Sequence, residues 1–302
     1  MVRGLISRML ILEGLRKQFD GAYAVNNVSF KVDKGDVYGF LGPNGAGKTT
    51  TIRMIMGIIH PDNGSIDLNG NDINALGRQN LGYLPEDRGL YQKQRIEEIL
   101  HYFGSLRGLQ KLDAKKKSSM WLDRFGLSDQ GDRKVEELSK GNQQKIQFIL
   151  SLLHDPDLII LDEPFTGLDP LNQILLKEII QEKQDEGKTI IFSTHQMEQV
   201  ERLCNNICLI DRGSIVVEGS LKEIRKKHSS DAVEVRFSGD IDKNEIANYF
   251  RELEIKENTI SGVLSKNPNQ FLKWINAKVD VLSFQLKIPT LEQIFLEEVG
   301  NK

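Results

Sequence analysis

The chain has 302 residues, a formal net charge of −3 and a pI near 6.0, a balance that argues against a broad basic surface for nucleic acid. Its 27% charged and 39% apolar residues are ordinary for a globular protein with one large or two modest cores. No apolar run approaches the roughly 18 residues of a membrane helix, and residues 1–12 lack a signal-peptide pattern. We therefore expect a soluble, cytosolic chain whose two cysteines, Cys204 and Cys208, are reduced and buried.

The first predicted elements surround a glycine-rich loop. Residues 9–12, 25–32 and 37–41 are predicted strands, with residues 16–21 connecting the first two, and residues 51–56 form a short predicted helix. A strand, a glycine-rich loop and a helix in this order are typical of a phosphate-binding loop. The candidate phosphate-binding residues are Gly42, Pro43, Asn44, Gly45, Ala46, Gly47, Lys48, Thr49 and Thr50.

The residue types in this loop suit a triphosphate. Backbone N–H groups and the helix N-terminus favour an anion, and the glycines leave space for it. Lys48 can reach the β- and γ-phosphates, and the Thr49 hydroxyl can ligate Mg²⁺. The alternative, a glycine-rich turn with an exposed lysine, does not account for the flanking strand and helix.

Helical periodicity follows and then gives way to alternating elements. Residues 94–153 contain apolar residues at one-face spacing, which predicts a helical subdomain at about 90–155. Strands are then predicted at 158–161, 189–192, 207–210 and 215–217, and helices at 171–184 and 197–203. Short apolar strands separated by helices predict a mostly parallel sheet covered on both faces. The predicted fold class is therefore α/β.

The C-terminal part has a different pattern, which predicts a first domain at 1–219 and a small α+β domain at 220–302. A basic helix at 221–227 is followed by a half-buried strand around residues 233–237. Ile246, Tyr249, Phe250 and Leu253 predict an amphipathic helix. The complete order β-α-β-β-α-β suggests a ferredoxin-like domain, which a final capped helix follows. This part contains no recognisable catalytic constellation.

A second acidic element is expected beside a phosphate-binding loop. The apolar residues 158–161 end in Asp162 and Glu163, at the carboxyl end of a predicted parallel strand. Asp162 can hold Mg²⁺ through water, and Glu163 can polarise a water that attacks the γ-phosphate. An ordinary acidic turn is the competing interpretation, which the phosphate-binding loop disfavours.

Taken together, these motifs resemble those of the ATP-binding cassette ATPases, the motor subunits of membrane transporters. Residues 138–144 resemble the family signature, residues 167–170 the loop after the catalytic glutamate, and residues 193–195 the strand end that carries the switch histidine. The resemblance covers residues 10–219. It implies a P-loop cassette with a mostly parallel core, an antiparallel β-subdomain and a helical subdomain.

The resemblance also implies ATP and Mg²⁺ as cofactors and two cassettes facing head to tail. Ser139, Gly141 and Asn142 would then meet the γ-phosphate of ATP held by the opposite cassette. His195 would hold the γ-phosphate and position the water, and Asp169 would link the two sites. Phe19 matches the aromatic that stacks on adenine.

Two stretches depart from the family pattern. Glu86 replaces the usual glutamine at the end of residues 82–86, where the residue contacts Mg²⁺ or the attacking water. Lys140 and Asn142 replace a glycine and a glutamine in the signature, whereas Ser139 and Gly141 are retained. Since Glu163 and His195 are both present, the resemblance implies a hydrolysing cassette.

The expected function is an ATPase subunit that powers a separate integral membrane permease, from the inner face of the cell membrane, with a second ATPase subunit. Residues 289–296 also resemble the tails of exporters with separate membrane chains, which suggests export of drugs, ions or lipids. Residues 86–106 are expected to carry the groove for the permease. A soluble family member acting on ribosomes or DNA is the alternative, disfavoured by the acidic balance. A purely regulatory nucleotide-binding module is a third possibility.

Overall fold

The computed structural model describes residues 8–72, 80–87, 89–228, 231–265 and 267–300. Contacts divide the chain into two compact units, Met1–Leu221 and Lys222–Lys302, which are described separately. The assignment of an ATP-binding domain to residues 1–219 and of an accessory domain to residues 220–302 stays a prediction. None of the helices in the described ranges has the length and apolar character needed to cross a membrane.

The first unit combines two sheets with helices. Its strands are β1 (Arg8–Phe19), β2 (Ala22–Asp33), β3 (Val37–Leu41), β4 (Asn63–Leu68), β5 (Asn71–Asp72), β6 (Leu81–Leu84), β7 (Leu158–Asp162), β8 (Thr189–Thr194), β9 (Asn206–Asp211) and β10 (Ser214–Ser220). Its helices are α1 (Lys48–Ile55), α2 (Ile96–Leu106), α3 (Lys111–Arg124), α4 (Lys140–Leu152), α5 (Pro170–Asp185) and α6 (Met197–Leu203). The α/β class predicted from the sequence is confirmed.

The larger sheet has the order β10-β9-β3-β8-β7-β6, and its neighbours from β9 to β6 are parallel. Every residue of β3, β7 and β8 is buried, as expected for parallel strands covered on both faces. Because parallel strands end at one edge, Leu41 pairs with Thr194 and Asp162 with Ser193. That edge positions the candidate site.

The smaller sheet is antiparallel, with the order β2-β1-β4-β5. Its first two strands extend further than the sequence predicted, since β1 continues to Phe19 and β2 starts at Ala22. Asp20 and Gly21 have φ values of +47° and +83° and make a two-residue hairpin turn. β4 pairs with β1 as far as Arg16, and pairing with β2 continues the strand to Phe19.

The second unit has an α+β arrangement, and α7 (Leu221–His228) precedes its first strand. The later elements are β11 (Ala232–Ser238), α8 (Lys243–Ala247), β12 (Phe250–Lys256), β13 (Thr259–Leu264), α9 (Pro268–Asn276), β14 (Asp280–Leu286) and α10 (Leu291–Gly300). The sheet order is β12-β13-β11-β14 with antiparallel neighbours, the split β-α-β arrangement. Phe271 and Ile275 of α9 are fully buried in its core with Val233 and Val235.

One helix of this unit was predicted too long. The helix expected to include Tyr249, Phe250 and Leu253 ends at Ala247, and Phe250 already starts β12. Phe250 pairs with Leu264, and Leu253 pairs with Gly262. The apolar spacing of this segment also fits a helix, but pairing with β13 makes it a strand.

Candidate active site

The predicted phosphate-binding loop connects β3 to α1 and lies against neighbouring backbone. Gly47 has φ +105°, and a Cβ placed on it would lie 2.3 Å from the carbonyl oxygen of Ala24 in β2. A Cβ on Gly42 would lie 2.2 Å from the Ile210 carbonyl oxygen at the end of β9. These contacts require glycine, and they hold the start of α1 at the carboxyl edge of the sheet.

Lys48 lies over this loop rather than pointing into solvent. Its Nζ donates to the carbonyl oxygens of Gly42 at 2.8 Å and Pro43 at 3.1 Å. Burial lowers the pKa of the Lys48 ammonium, whereas the carboxylates of Glu163, Asp162 and Glu86 act in the opposite direction. A partly desolvated cation at the N-terminus of a helix is suited to a phosphate.

Three oxygen-bearing side chains converge beside Lys48. The Thr49 hydroxyl donates to Glu86 Oε2 at 3.4 Å. The Asp162 carboxyl is buried; its Oδ1 accepts from Ser193 Oγ, whereas Oδ2 has no partner among the described residues. Burial raises the pKa of this carboxyl, and the hydrogen bond from Ser193 opposes that rise.

This donor set fits a magnesium ion. Mg²⁺ is usually held by one or two carboxylates together with substrate phosphates and water, so a full protein cage is not needed. The unpartnered oxygen of Asp162, the Thr49 hydroxyl and the Glu86 carboxylate supply such a set. In the described ranges, no group of three or more His, Cys, Asp or Glu residues is arranged to hold a metal.

Glu163 is held rigidly next to this set. It has φ +50°, and its carboxylate accepts from Thr194 Oγ1 at 3.1 Å and from the His195 backbone N–H at 3.0 Å. His195 Nδ1 lies 2.8 Å from Glu163 Oε1, although the imidazole itself is 47% exposed. Thr194, the His195 backbone and the His195 imidazole therefore orient one almost buried carboxylate.

The loop, the acidic pair and Glu86 surround one small cavity of about 180 Å³. Its lining residues are Ala24, Asn44, Gly45, Gly47, Lys48, Thr49, Thr50, Glu86, Asp162 and Glu163. The structure thus brings together residues that the sequence places more than a hundred positions apart. Pro43 and Ala46 are next to lining residues in the chain, and His195 is hydrogen-bonded to the lining residue Glu163.

The residues of the predicted signature lie at the start of α4. Ser139 caps this helix, because its Oγ accepts from the Asn142 N–H at 3.3 Å. A Cβ on Gly141 would lie 3.4 Å from the Gly167 carbonyl oxygen, and Asp169 caps α5 by accepting from the Asn172 N–H at 3.0 Å. None of these residues is among those that line the cavity.

Phe19 is also outside the cavity lining. It ends β1 and is 48% exposed, with Lys17 Nζ 5.6 Å from the ring centroid. The hairpin that carries Phe19 approaches the phosphate-binding loop at Ala24, whose carbonyl oxygen would lie 2.3 Å from a Cβ placed on Gly47.

Ser193 and Thr194 are site residues whose roles the sequence reasoning missed. Each binds one of the two carboxylates, Ser193 that of Asp162 and Thr194 that of Glu163. Their signal was available, since two hydroxyl residues end an otherwise apolar strand. Only the pairing of β7 with β8 shows that these hydroxyl groups lie beside the carboxylates.

Two family models match the chain in sequence. One, described as ABC transporter, matches residues 25–166, and one described as ATP-binding protein DrrA1-3-like, C-terminal domain, matches residues 219–299.

Several relatives match almost the whole chain. An ABC transporter ATP-binding protein of Bacillus subtilis is 42% identical over 297 residues, which is 97% of this chain and 99% of the relative. The linearmycin resistance ATP-binding protein of Bacillus subtilis is 32% identical over 97% of this chain and 99% of its own length. The Nod factor export ATP-binding protein I of a Rhizobium species is 33% identical over 96% and 97%, respectively.

Solved structures match the cassette portion. The ATP-binding subunit of an ABC transporter has 32% identity and a TM-score of 0.69, over 72% of this chain and 92% of that chain. A nucleotide-free ATP-binding cassette from an ABC transporter has 25% identity and a TM-score of 0.63. The predicted P-loop cassette fold is therefore confirmed.

Replacing Asp162 with asparagine tests the metal assignment. Because folding raises the pKa of Asp162, its ionised form lowers the stability of the nucleotide-free chain once pH exceeds the folded-state pKa. We expect Asp162→Asn to leave the melting temperature at pH 7 unchanged or higher, and to weaken Mg²⁺-dependent ATP binding by about tenfold or more.

Calorimetric ATP titration with and without Mg²⁺, beside thermal unfolding from pH 4 to 8, measures both effects. Asp129→Asn, at an exposed aspartate, is the control. Wild-type Mg²⁺-dependent affinity in Asp162→Asn would contradict the assignment.

Proposed function

Since this chain belongs to the ATP-binding proteins of ABC transporters, we propose that it powers an exporter whose permease is a separate chain. As a member of this family it binds and hydrolyses ATP and works with permease partners as part of a dimer. Relatives named for linearmycin resistance and Nod factor export support the direction of transport, together with the DrrA1-3-like match at residues 219–299. The cell-membrane inner face is the proposed location.

The convergence of Lys48, Thr49, Asp162 and Glu163 on one cavity carries this proposal. Backbone N–H groups of residues 44–50 and the Lys48 ammonium bind the β- and γ-phosphates. Thr49, Asp162 and Glu86 would hold Mg²⁺, which when bound offsets phosphate charge. Phe19 offers the adenine a face for stacking.

Glu163 is proposed to polarise the attacking water. Its Oε1 already accepts two hydrogen bonds from His195, so the position of the carboxylate is fixed before nucleotide arrives. His195, half-exposed at the cavity side of β8, is proposed to hold the γ-phosphate and position the water. Thr194 keeps the second carboxylate oxygen in place.

A second ATPase subunit is proposed to complete the site. The N-terminus of α4, with Ser139, Gly141 and Asn142, has the positive end of a helix dipole but contributes nothing to the cavity lining of its own chain. Facing the cavity of a partner subunit, it would contact the γ-phosphate there. Asp169, at the start of α5 and near Gly141, would link the two sites. ATP then joins the dimer, and hydrolysis releases it.

The permease is proposed to dock on a groove of about 500 Å³ beside α2. The groove is lined by Tyr91, Gln94, Glu98, Ile99 and Tyr102. Tyr91 and Tyr102 are 58% and 55% exposed, which is unusual for large aromatic side chains and typical of protein interfaces. The groove begins at Tyr91, five residues after Glu86. A permease bound there would therefore lie close in sequence to the loop that carries Glu86 to the nucleotide site.

Substitution of the proposed base tests the chemistry. Glu163→Gln retains the size and one acceptor oxygen of the side chain but cannot take a proton. We expect hydrolysis to fall by about 100-fold or more, with ATP binding retained and an ATP-dependent dimer accumulating.

Phosphate release and size-exclusion chromatography with ATP report the two effects. Glu178→Gln, on the exposed face of α5, is the matched control and should hydrolyse ATP at the wild-type rate. Normal turnover of Glu163→Gln would refute its assignment as the base.

Substitution in the groove tests the partner. We expect Tyr102→Ser to lose most of the multi-span chain that co-purifies with the tagged protein from gently solubilised membranes, because an aromatic anchor is removed.

Quantitative mass spectrometry of the purified complexes measures this loss. Leu112→Ser is the control, since Leu112 is 82% exposed on α3 and does not line the groove. Equal permease recovery for both variants would exclude this groove. Recovery of ribosomal proteins by the wild type, with no membrane chain, would instead favour a soluble switch.

A further inference from the structure

A glutamine in the middle of α4 has an arrangement that stability alone does not explain. Gln147 is 4% exposed, and its Nε2 donates at 3.2 Å to the backbone carbonyl oxygen of Asp87. Its Oε1 is buried and has no partner in the described parts of the chain. Gln147 is thus a buried amide that makes one bond and leaves one acceptor unsatisfied.

The bond from Gln147 ends on the loop that carries Glu86. The Asp87 side chain lies 3.7 Å from Arg53 on α1, and Glu86 reaches the Thr49 hydroxyl at the start of the same helix. The Arg53–Asp87 pair is exposed, at 46% and 90%, so it contributes little to holding the loop. The part-buried bond from Gln147 connects this loop to α4.

This loop therefore contacts two helices with different tasks. The N-terminus of α1 belongs to the nucleotide site of its own chain. The N-terminus of α4, two turns before Gln147, is the part proposed to serve the site of the partner subunit. A displacement of Glu86 by nucleotide in one site would pull on α4 through Asp87 and Gln147.

The energetics of Gln147 favour such a role over a structural one. A buried polar atom without a partner costs stability, and a methionine of similar volume would fill the position without that cost. Residues that break a packing rule in this way are expected where function requires them.

We propose that Gln147 is a positioning residue that couples the Glu86 loop of one nucleotide site to the α4 N-terminus serving the other. The inference rests on the proposed two-subunit ATPase. Within one chain, nucleotide that contacts Glu86 then affects where Ser139 and Gly141 lie in the opposite site. Losing the link leaves each chain able to bind ATP but lowers the rate of the assembled pair.

The test compares Gln147→Met with wild type and with Gln184→Met. Gln184 is a matched control, because its Nε2 also donates to a backbone carbonyl oxygen, that of Gly35, at 3.3 Å and away from the site. Three quantities are measured: thermal unfolding of the full chain, ATP affinity of the isolated full chain, and ATP-dependent phosphate release by the permease-bound complex.

For Gln147→Met we expect an unchanged or higher melting temperature and ATP affinity within about twofold of wild type. We expect kcat of the complex to fall by about threefold or more, with a Hill coefficient for ATP closer to one than that of wild type. Gln184→Met should keep the wild-type kcat and Hill coefficient.

Unchanged kcat and Hill coefficient in Gln147→Met would overturn the inference. A lower melting temperature with a loss of activity equal to that of Gln184→Met would also overturn it, because both would then report general packing. If the wild-type complex itself releases no phosphate, the proposed ATPase function fails, an outcome distinct from failure of the coupling alone.

Discussion

The parallel pairing of β3, β8 and β7 is the constraint on which the site depends. Register places Leu41 beside Thr194 and Asp162 beside Ser193, so the strands end together. The chain continuing from β3 becomes the phosphate-binding loop, and the two carboxylates follow from β7. Burying two adjacent carboxylates is costly because they lose water and repel each other. The hydroxyl groups at the end of β8 offset part of this cost, since each donates a hydrogen bond to one carboxylate.

This edge leaves the site incomplete in a single chain. The residues proposed to bind the phosphates and Mg²⁺ line the cavity or adjoin it, but the N-terminus of α4 lies outside its lining. A helix N-terminus capped by its own serine is an anion site only if an anion is brought to it. The proposed head-to-tail dimer supplies that anion, and it explains how one substrate can control the association of two subunits.

The sequence predicted much of this arrangement because buried parallel strands have a simple signature. The apolar residues 158–161 followed by Asp162 and Glu163 indicated the strand β7 and the two carboxylates at its end. Ser193 and Thr194 were not assigned roles, since only the neighbour relation of β7 and β8 brings them to the carboxylates. That relation is a long-range property with no local sequence signal.

Two other elements show the same limit. Residues 17–19 extend β1 because they pair with β2, and Phe250 belongs to β12 because that strand pairs with β13. In each case a tertiary partner decides between local possibilities that the sequence leaves open. The bond between Gln147 and Asp87, whose partner atom is a backbone oxygen, is equally invisible to sequence patterns.

A disulfide crosslink between subunits tests the central claim most directly. Asn44→Cys is introduced into one copy of the chain and Ser139→Cys into another, each copy carrying Glu163→Gln and a different label. The two proteins are mixed and oxidised with and without Mg²⁺-ATP. The native Cys204 and Cys208 are buried. The account predicts a covalent dimer that joins the two differently labelled copies and forms only with ATP. Absence of any ATP-dependent crosslink between copies would contradict the shared site.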